Sequence, residues 1–456
     1  MVTMRLLHLS WEYPPHSVGG LARHVEDLTQ ALAREGQEVH VLTVGQGGDT
    51  PGRKSEQGVL VHRVEAYPLH APDFLTWVLQ LNIRFLEEAM VLWRTYGPFD
   101  IIHAHDWLAA FAGRALKHAH RLPLIATIHA TEAGRNRGLH NELQRYIHSV
   151  EWWLTYEAWR VIVCSQHMRE EVQGLFQVPA DKIVVLPNGV VPAKFREVHA
   201  DAALRRRYAL PQEKIIFFVG RLVVEKGVQV LLEAMPKVLA SCPEAKLVVG
   251  GQGPMEGELK NRAWELGIAH KVCFAGYLDD RTRNQLYRLA EVAVFPSLYE
   301  PFGIVALEAM AAGTPVVVSE TGGLKEIVTH GVNGLRAFPG NAHSLADNLI
   351  ALLKDPMLAA RVKEGGTRLV AEVYDWEKIA RRTLQLYYAV YEEYRRTPWP
   401  ERTPVKERFR RYALMLSGAK GKTEPAGEPP SFSGRYDLVG RRAALLNQSR
   451  GRDGWL

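Results

Sequence analysis

The feature that most constrains this fold is a succession of short apolar strands, each followed by a loop and a helix, that occurs twice. In the first half, residues 5–10 predict a buried strand, residues 21–35 a helix and residues 38–43 a second strand. The pattern restarts with a strand at 214–219 and a helix at 228–239. Alternating strands and helices form parallel sheets covered by helices on both faces. The sequence therefore predicts an α/β protein with two doubly wound, Rossmann-like domains.

The domain boundaries follow from length and local composition. A chain of 456 residues exceeds what one hydrophobic core organises. We predict a first domain at 1–192, a second at 193–372, a final amphipathic helix at 373–396, and a flexible Pro/Gly-rich extension at 397–456. That extension holds twelve Lys/Arg and six Asp/Glu, a net charge of +6 that equals the charge of the whole chain. The basic balance therefore gives no reason to expect a nucleic-acid partner.

Cysteine content and hydropathy indicate the compartment. Three cysteines without a CxxC spacing argue against a disulfide framework and a zinc–cysteine site. The first apolar run is too short for a signal peptide, and no run approaches the roughly 20 residues that span a bilayer. We expect a cytoplasmic protein without a membrane partner, and the sequence leaves its oligomeric state open.

A carboxylate pair marks residues 296–326. Glu300 precedes a predicted helix at 304–312 and Glu308 lies inside it, with the sequence Pro-Phe-Gly directly after Glu300. A lone glutamate in an apolar helix most often lies on a solvated stripe, because a buried carboxylate is costly without hydrogen-bond partners. The Glu-x7-Glu spacing instead favours a ligand site, since a helix N-terminus offers free N–H groups to an anion.

A second charged motif, GRLVVEKG, follows the strand at 214–219. Arg221 and Lys226 leave the end of this strand five residues apart, flanked by Gly220 and Gly227. A guanidinium can hold two phosphate oxygens, and an ammonium is a mobile point charge. The pair could neutralise a diphosphate leaving group. A surface salt bridge is the simpler alternative, which the strand-end position disfavours.

Strand ends in the first half carry polar groups. Gly19 and Gly20 open the first helix and would let a phosphate approach the backbone. His103, His105, Asp106 and His129 lie at predicted strand ends, where open α/β sheets bind ligands. Histidine and aspartate also ligate metals. No helix carries an HxxxH pair here, so we predict neither a metal nor a cofactor.

Two further segments have assignable features. Residues 131–145 are polar and glycine-bearing, which predicts a mobile loop over the cleft. Residues 149–159 form an unusually aromatic helix, which we assign to packing between the domains.

The motifs EYPPxxxGGL, HAHDW, TIH, GRLxxEKG and EPFGxxxLEAMAxGxPVV followed by TGG resemble those of the retaining GT-B glycosyltransferases of the glycogen and starch synthase type. The resemblance covers residues 5 to about 394. It implies two Rossmann-like domains facing across a cleft, with acceptor bound mainly by the first and nucleotide sugar by the second. It also implies that the final helix crosses back to the first domain.

The resemblance also implies site roles. Arg221 and Lys226 would hold the donor diphosphate without a metal, with Gly19 and Gly20 approaching it from the other domain. Glu300 would contact the transferred sugar near the N–H groups of Phe302, Gly303 and Ile304. Glu308 would bind the ribose and Tyr277 would stack on the base. His129 would offer its carbonyl or ring to the sugar, and Asp106 would either contact the acceptor or serve the structure.

The implied reaction is transfer of α-glucose from a nucleotide diphosphate glucose, with ADP-glucose favoured, to the 4-hydroxyl of an α-glucan. One departure leaves the acceptor and the base open: Ser17-Val18-Gly19-Gly20 replaces the Lys-x-Gly-Gly of bacterial glycogen synthases. A small acceptor such as glucose 1-phosphate, or a UDP- or GDP-sugar donor, is the alternative. A non-enzymatic sugar-nucleotide sensor is a second alternative. An NAD-linked enzyme is disfavoured by the absence of GxGxxG.

Overall fold

The computed structural model describes residues 3–16, 19–45, 53–54, 57–196 and 201–399. The predicted extension, including a possible helix at 405–416, lies outside these residues except for its first three positions. In the described part, Trp399 packs against the first lobe, with its ring 5.4 Å from the His118 ring and the Lys117 ammonium 5.6 Å from its centroid.

The first lobe is built on an eight-stranded sheet in the order β3-β4-β2-β1-β5-β6-β7-β8. All pairings are parallel except that of the two-residue strand β3 with β4. The strands are β1 (Arg5–Leu9), β2 (Glu38–Val44), β3 (Arg53–Lys54), β4 (Leu60–Val64), β5 (Ile101–His105), β6 (Leu124–Ile128), β7 (Arg160–Val163) and β8 (Ile183–Val185). The helices are α1 (Gly20–Arg34), α2 (Phe74–Tyr96), α3 (Ala110–His120), α4 (Glu132–Asn136), α5 (Glu142–Glu157), α6 (Gln166–Phe176) and α7 (Ala193–Arg196).

The second lobe has a six-stranded parallel sheet in the order β11-β10-β9-β12-β13-β14. The strands are β9 (Lys214–Val219), β10 (Ala245–Gly250), β11 (Val272–Gly276), β12 (Val292–Phe295), β13 (Val316–Ser319) and β14 (Leu335–Ala337). The helices are α8 (Ala202–Tyr208), α9 (Val228–Ser241), α10 (Glu256–Glu265), α11 (Asp280–Leu289), α12 (Ile304–Ala311), α13 (Gly322–Ile327), α14 (Ala342–Lys354), α15 (Pro356–Val373) and α16 (Trp376–Arg395).

The prediction of two doubly wound α/β halves is confirmed. In each sheet the order of strands reverses beside the first strand of the lobe, between β1 and β5 and between β9 and β12. Ligands of open α/β sheets bind outside the carboxyl ends of the strands at such reversals. The topology therefore predicts that ligands bind at the loops after β1, β5, β9 and β12. The domain boundaries at 192 and 372 stay predictions.

The final helix α16 packs on the first lobe, as the resemblance implied. Trp376 and Tyr387 are fully buried in a core cluster with residues of α1 and of the first sheet. Arg160 donates to Glu393 at 2.6 Å, and Arg381 to Glu35 at 2.7 Å. No helix among the described residues has the length and apolarity needed to span a bilayer.

Two local predictions in the first lobe are wrong. Residues 131–145 are not one loop, because Thr131 and Asn141 cap helices α4 and α5 with their side chains. The aromatic helix does not pack between the lobes: Trp152 and Tyr156 are exposed, and Trp153 lies under Arg114 within the first lobe. Aromatic content predicts burial, but it does not tell which neighbour a helix meets.

Candidate functional site

The carboxyl edges of the two sheets face each other across a cleft. A Cβ added to Gly20, at the start of α1, would lie 3.4 Å from Ile304 Cδ1 at the start of α12. Ser165 Oγ, from the loop after β7, donates to the carbonyl of Pro301 at 2.7 Å. Tyr299 OH, in the loop after β12, donates to Glu171 on α6 at 2.9 Å. Loops at the strand ends of one lobe therefore contact those of the other.

The two predicted cations follow β9. Lys226 ends a short 3-10 turn and its ammonium lies 2.8 Å from Glu300 Oε2. The Arg221 side chain is about half exposed, at 49%, and its guanidinium is 3.5 Å from Glu225 Oε1. Lys226 is thus held by the Glu300 carboxylate, whereas about half of the Arg221 side chain is exposed to solvent.

Glycine allows the two loops of the second lobe to meet. Gly227 has a φ of +71°, and a Cβ there would lie 2.0 Å from the carbonyl oxygen of Pro296. Gly322 has a φ of +46°, and its Cβ would lie 2.0 Å from the carbonyl oxygen of Glu300. Any side chain at either position would separate the segments that bring Lys226 and Glu300 together.

Glu300 is buried and held from several sides. Its Oε2 accepts from Ser297 Oγ at 3.0 Å as well as from Lys226. Its carbonyl accepts from the N–H of Gly323 at 2.9 Å. The ionic partner and the hydroxyl donor fix the direction of this buried carboxylate.

The backbone after Glu300 turns into α12. Phe302 is buried with its ring edge-on to Tyr374, and Gly303 is the N-cap residue with a φ of +110°. Among the described residues, no side chain caps the first turn that begins at Ile304. The first N–H groups of a helix have no partner within the helix, so this turn can bind an anion.

Glu308 is buried on α12 and surrounded by donors. Its Oε2 accepts from Tyr287 OH at 3.0 Å, and Oε1 lies 3.6 Å from Arg283 and 3.9 Å from Arg23. Arg23 comes from α1 of the other lobe and also pairs with Asp280. The sequence reasoning did not identify Arg23, and only its position three residues after Gly20 could have suggested it. A hydroxyl-rich ligand could replace the long Arg23 contact.

Asp106 and His129 are adjacent at the edge of the first lobe. Asp106 follows β5 with a φ of +59°, a strained conformation for a non-glycine residue, and its Oδ1 accepts from the His129 N–H at 2.7 Å. Burial raises the pKa of Asp106 to about 6, against the lowering effect of Arg135, whose guanidinium is 3.8 Å away. The carboxylate thus orients the backbone of His129.

The histidines of β5 and β6 differ in what they face. His103 lies within β5, and its nitrogens contact Tyr387 OH at 2.6 Å and Thr127 Oγ1 at 2.7 Å, so its role is structural. His105 Nδ1 is 3.3 Å from Nε2 of His129, which is half-buried at the cleft. Burial lowers the pKa of His129 to about 3, and Arg135 adds to this effect, so the ring is neutral at pH 7.

The remaining predicted residues lie where the topology requires. Gly19 caps α1 and its N–H donates to Glu12 Oε2 at 3.0 Å. Tyr277 follows β11 with a 72% exposed ring that is available for stacking. The roles assigned to these residues and to the others stay predictions.

Two family models match the chain, Glycosyltransferase Family 4 over residues 18–194 and Glycosyl transferases group 1 over residues 201–369. An uncharacterized glycosyltransferase of Methanocaldococcus jannaschii is 42% identical over 388 residues, covering 84% of this chain and 98% of that protein. The chain belongs to the group 1 glycosyltransferases. A glycogen synthase of Mycobacterium tuberculosis is 36% identical over 418 residues, covering 89% and 99% of the two chains.

A solved structure of similar fold is the sucrose-phosphate synthase from Thermosynechococcus elongatus. Its TM-score is 0.74 at 27% identity, with 86% of this glycosyltransferase and 100% of that chain covered. The two facing sheets are therefore those of a GT-B glycosyltransferase, and the family prediction is confirmed.

Proposed function

We propose that this glycosyltransferase transfers α-glucose, with retention of configuration, from a nucleotide diphosphate glucose to the 4-hydroxyl of an α-1,4-glucan. ADP-glucose is the favoured donor. The observation that carries the proposal is the Lys226–Glu300 pair at the β9/β12 reversal. Arg221 follows the same strand β9, and Asp106 and His129 lie at strand ends beside the reversal of the first lobe.

The second lobe supplies charge for the leaving group. Arg221 and Lys226 bind the donor diphosphate, and the N–H groups at the start of α12 add a partial positive charge. These groups stabilise the negative charge that grows on the diphosphate as its bond to the sugar breaks. Fixed cations thereby serve at the diphosphate in place of a metal.

The carboxylates of the second lobe accept hydrogen bonds from hydroxyl groups of the donor. Glu300 is held in direction by Lys226 and Ser297, so it can accept from a hydroxyl of the transferred glucose. Glu308 keeps Oε2 on Tyr287 and offers Oε1 to the ribose, in place of its long contact with Arg23. Buried carboxylates bind hydroxyls strongly because hydrogen bonds to charged groups are worth about 1.5–3 kcal/mol.

The first lobe positions the reacting sugar. Asp106 fixes the backbone of His129 by a hydrogen bond to its N–H. The His129 carbonyl then accepts a hydrogen bond from a hydroxyl of the reacting sugar. The family resemblance implies no dedicated nucleophile, so we infer a front-face route in which the departing diphosphate and the sugar form an ion pair. Stabilisation of the leaving group then provides most of the acceleration.

A donor screen tests the proposal. Release of nucleoside diphosphate is measured with ADP-, UDP- and GDP-glucose, each with and without glycogen, and extended chains are analysed by NMR for the anomeric configuration. Glycogen-dependent release with a new α-1,4 linkage is expected. Failure to extend any glucan would refute glucan as the acceptor.

A small acceptor is the second candidate. The similar solved structure is a sucrose-phosphate synthase, whose name points to a phosphorylated product of low mass. Donor-dependent glucosylation of glucose 1-phosphate, with glycogen inert, would select this candidate.

A further inference from the structure

Glu300 belongs to the second lobe, but both of its neighbours in the chain bond to the first lobe. The preceding residue, Tyr299, donates a hydrogen bond from its hydroxyl to Glu171 Oε1 on α6 at 2.9 Å. The following residue, Pro301, accepts at its carbonyl from Ser165 Oγ at 2.7 Å. The segment that carries the proposed sugar-binding carboxylate is therefore held directly by the first lobe.

The second lobe holds the same segment through its backbone. The N–H of Leu298 donates to the carbonyl of Glu225 at 2.7 Å, and the N–H of Gly323 donates to the carbonyl of Glu300 at 2.9 Å. Residues 298–301 thus lie between two sets of contacts, one from each lobe. A change in how the lobes meet would act on this segment.

Helix α6 is fixed against the second lobe at its N-terminus. Glu326, on α13, accepts from the N–H groups of Gln166 and His167 at 2.9 and 2.7 Å. The first N–H groups of a helix have no partner within it, and hydrogen bonds to a carboxylate are strong. Glu171 lies about one turn after His167, so the docking of this helix sets the distance from Glu171 to Tyr299.

The Glu171 carboxylate is well suited to hold a hydroxyl group. Its side chain is 14% exposed, and its Oε1 also accepts from Thr131 Oγ1 at 2.6 Å. Burial raises the pKa of Glu171, but hydrogen bonds from His167, Thr131 and Tyr299 outweigh it and lower the pKa. The carboxylate is therefore ionised at pH 7, and a hydrogen bond to an ionised acceptor is roughly twice as strong as a neutral one.

A glycine of the first lobe leaves room for this contact. A Cβ added to Gly134, on α4, would clash with the Tyr299 hydroxyl oxygen and would lie 2.6 Å from Glu171 Oε1. Both atoms would have to move to accommodate even an alanine. The hydroxyl and the carboxylate therefore meet only because residue 134 has no side chain.

We propose that Tyr299 and Glu171 are positioning residues for glycosyl transfer, because their hydrogen bond places the Glu300 carboxylate against the transferred sugar while the lobes are in contact. Ser165 assists by holding the carbonyl of Pro301. The proposal rests on the proposed function, since it takes Glu300 as the group that binds this sugar. The first lobe thereby acts on the donor through a segment of the second, and sugar binding depends on how the lobes face.

Tyr299→Phe tests the proposal, because it removes the hydroxyl and keeps the ring. Nucleoside diphosphate release is measured with whichever of ADP-, UDP- and GDP-glucose the wild-type chain turns over fastest, and calorimetry measures binding of the matching nucleoside diphosphate. We expect kcat to fall about tenfold, as for loss of a hydrogen bond to a charged group. The Kd of the nucleoside diphosphate should change less than threefold, because the hydroxyl is not among the groups proposed to bind the diphosphate.

Tyr67→Phe is the matched control. The Tyr67 hydroxyl also donates to a glutamate, Glu87, but both residues belong to the first lobe. This variant should keep the wild-type kcat and Kd. A further loss of the Glu171 carboxylate, in the double variant Tyr299→Phe/Glu171→Gln, should lower kcat by less than the product of the two single losses, because both changes break one bond.

A second pair of variants moves the hydroxyl without removing it. Gly134→Ala should lower kcat as Tyr299→Phe does. Gly174→Ala is its control, since Gly174 also lies in a helix, α6, and an added Cβ there would meet nothing within 4 Å. This control should keep the wild-type kcat.

The outcomes separate this proposal from the proposed function. Wild-type kcat in Tyr299→Phe, an equal loss in Tyr67→Phe, or single losses that multiply in the double variant overturns the positioning role. If Tyr299→Phe does not fold, as judged by circular dichroism, Gly134→Ala against Gly174→Ala gives the same decision. A wild-type chain that turns over a donor without extending glucan refutes the glucan acceptor alone, and one that turns over no donor refutes both proposals.

Discussion

The two edges of the cleft handle polar groups in opposite ways. At the second-lobe edge, charges of both signs are paired and partly open to solvent, as in Lys226–Glu300 and in the half-exposed Arg221. At the first-lobe edge, the histidines are buried or half-buried and neutral, and they contact one another. Phosphate binding needs available charge, whereas positioning a sugar needs fixed dipoles. The proposed function uses this difference, with the leaving group bound by the second lobe and the reacting sugar positioned mainly by the first.

The same contrast appears in how each edge is held. Glycines determine how closely the second-lobe loops pack, because Gly227 and Gly322 allow backbone contacts that a side chain would prevent. Side-chain hydrogen bonds set the first-lobe edge, with Asp106 fixing the backbone of His129. Substitutions should thus act through loop geometry on one side and through polar partners on the other.

The largest expected effect tests the charge of the second lobe. Lys226→Ala should lower kcat for donor turnover by about 10²- to 10³-fold, because it removes a cation aimed at the leaving diphosphate. Nucleoside diphosphate release measures this, with circular dichroism to verify folding. Lys237→Ala is the control, since the Lys237 side chain is 41% exposed and pairs with Asp347 on α14. Turnover within threefold of wild type would contradict the assignment of Lys226 to the leaving diphosphate.

The next test separates loop contact from backbone strain. Gly227 and Gly267 have nearly equal φ values, +71° and +70°, but only a Cβ at Gly227 would meet another backbone atom. Gly267→Ala should cost about 1 kcal/mol of unfolding free energy, the penalty of a left-handed alanine. Gly227→Ala should cost about 3 kcal/mol and lower donor turnover about 100-fold, because Lys226 is displaced.

Urea unfolding and diphosphate release measure the two quantities. Equal losses of stability in both variants would show that the contact between the Gly227 and Pro296 backbones does not hold the site.

A smaller effect is expected at Glu308, the proposed ribose contact. Glu308→Gln should raise the donor KM about tenfold with a lesser change in kcat, because a neutral amide accepts a hydroxyl more weakly than a carboxylate. Glu265→Gln, at an exposed residue paired with Arg262, is the control. A fall in kcat with KM unchanged would instead place Glu308 at the reacting sugar.

Much of the second-lobe site could be predicted from the sequence, because its groups lie close along the chain. Glu300, Gly303 and Glu308 belong to one strand–loop–helix unit, so local spacing fixes their relation. Arg221 and Lys226 follow the neighbouring strand, and sheet topology brings them to the same edge.

Contacts between distant segments could not be predicted. Nothing local indicates that Arg23 meets Glu308, since 285 positions separate them and the meeting depends on how the lobes face. The contact of Tyr299 with Glu171 depends on the same facing of the lobes. The placement of α5 was wrong for the same reason: its aromatic residues specify an apolar surface without specifying the partner.

The smallest effect concerns a charged group of the first lobe. It tests whether ion pairs with Glu157 stabilise this lobe. Glu157, at the end of α5, accepts from Arg114 at 3.0 Å, Lys117 at 2.8 Å and His118 at 3.0 Å. Burial raises the pKa of Glu157, but these hydrogen bonds outweigh it and lower the pKa from 4.5 to about 2. Since the folded pKa is the lower one, the stabilisation is present above pH 4.5 and is lost as the pH falls toward 2.

Glu157→Gln should therefore cost about 1 kcal/mol of unfolding free energy at pH 7, and the difference from wild type should shrink at pH 3. Urea unfolding at both pH values measures it. Glu142→Gln, which removes an exposed partner of Arg145, should change stability by less than about 0.5 kcal/mol at either pH. A Glu157→Gln effect that persists unchanged at pH 3 would mean that packing, rather than charge pairing, stabilises this corner of the lobe.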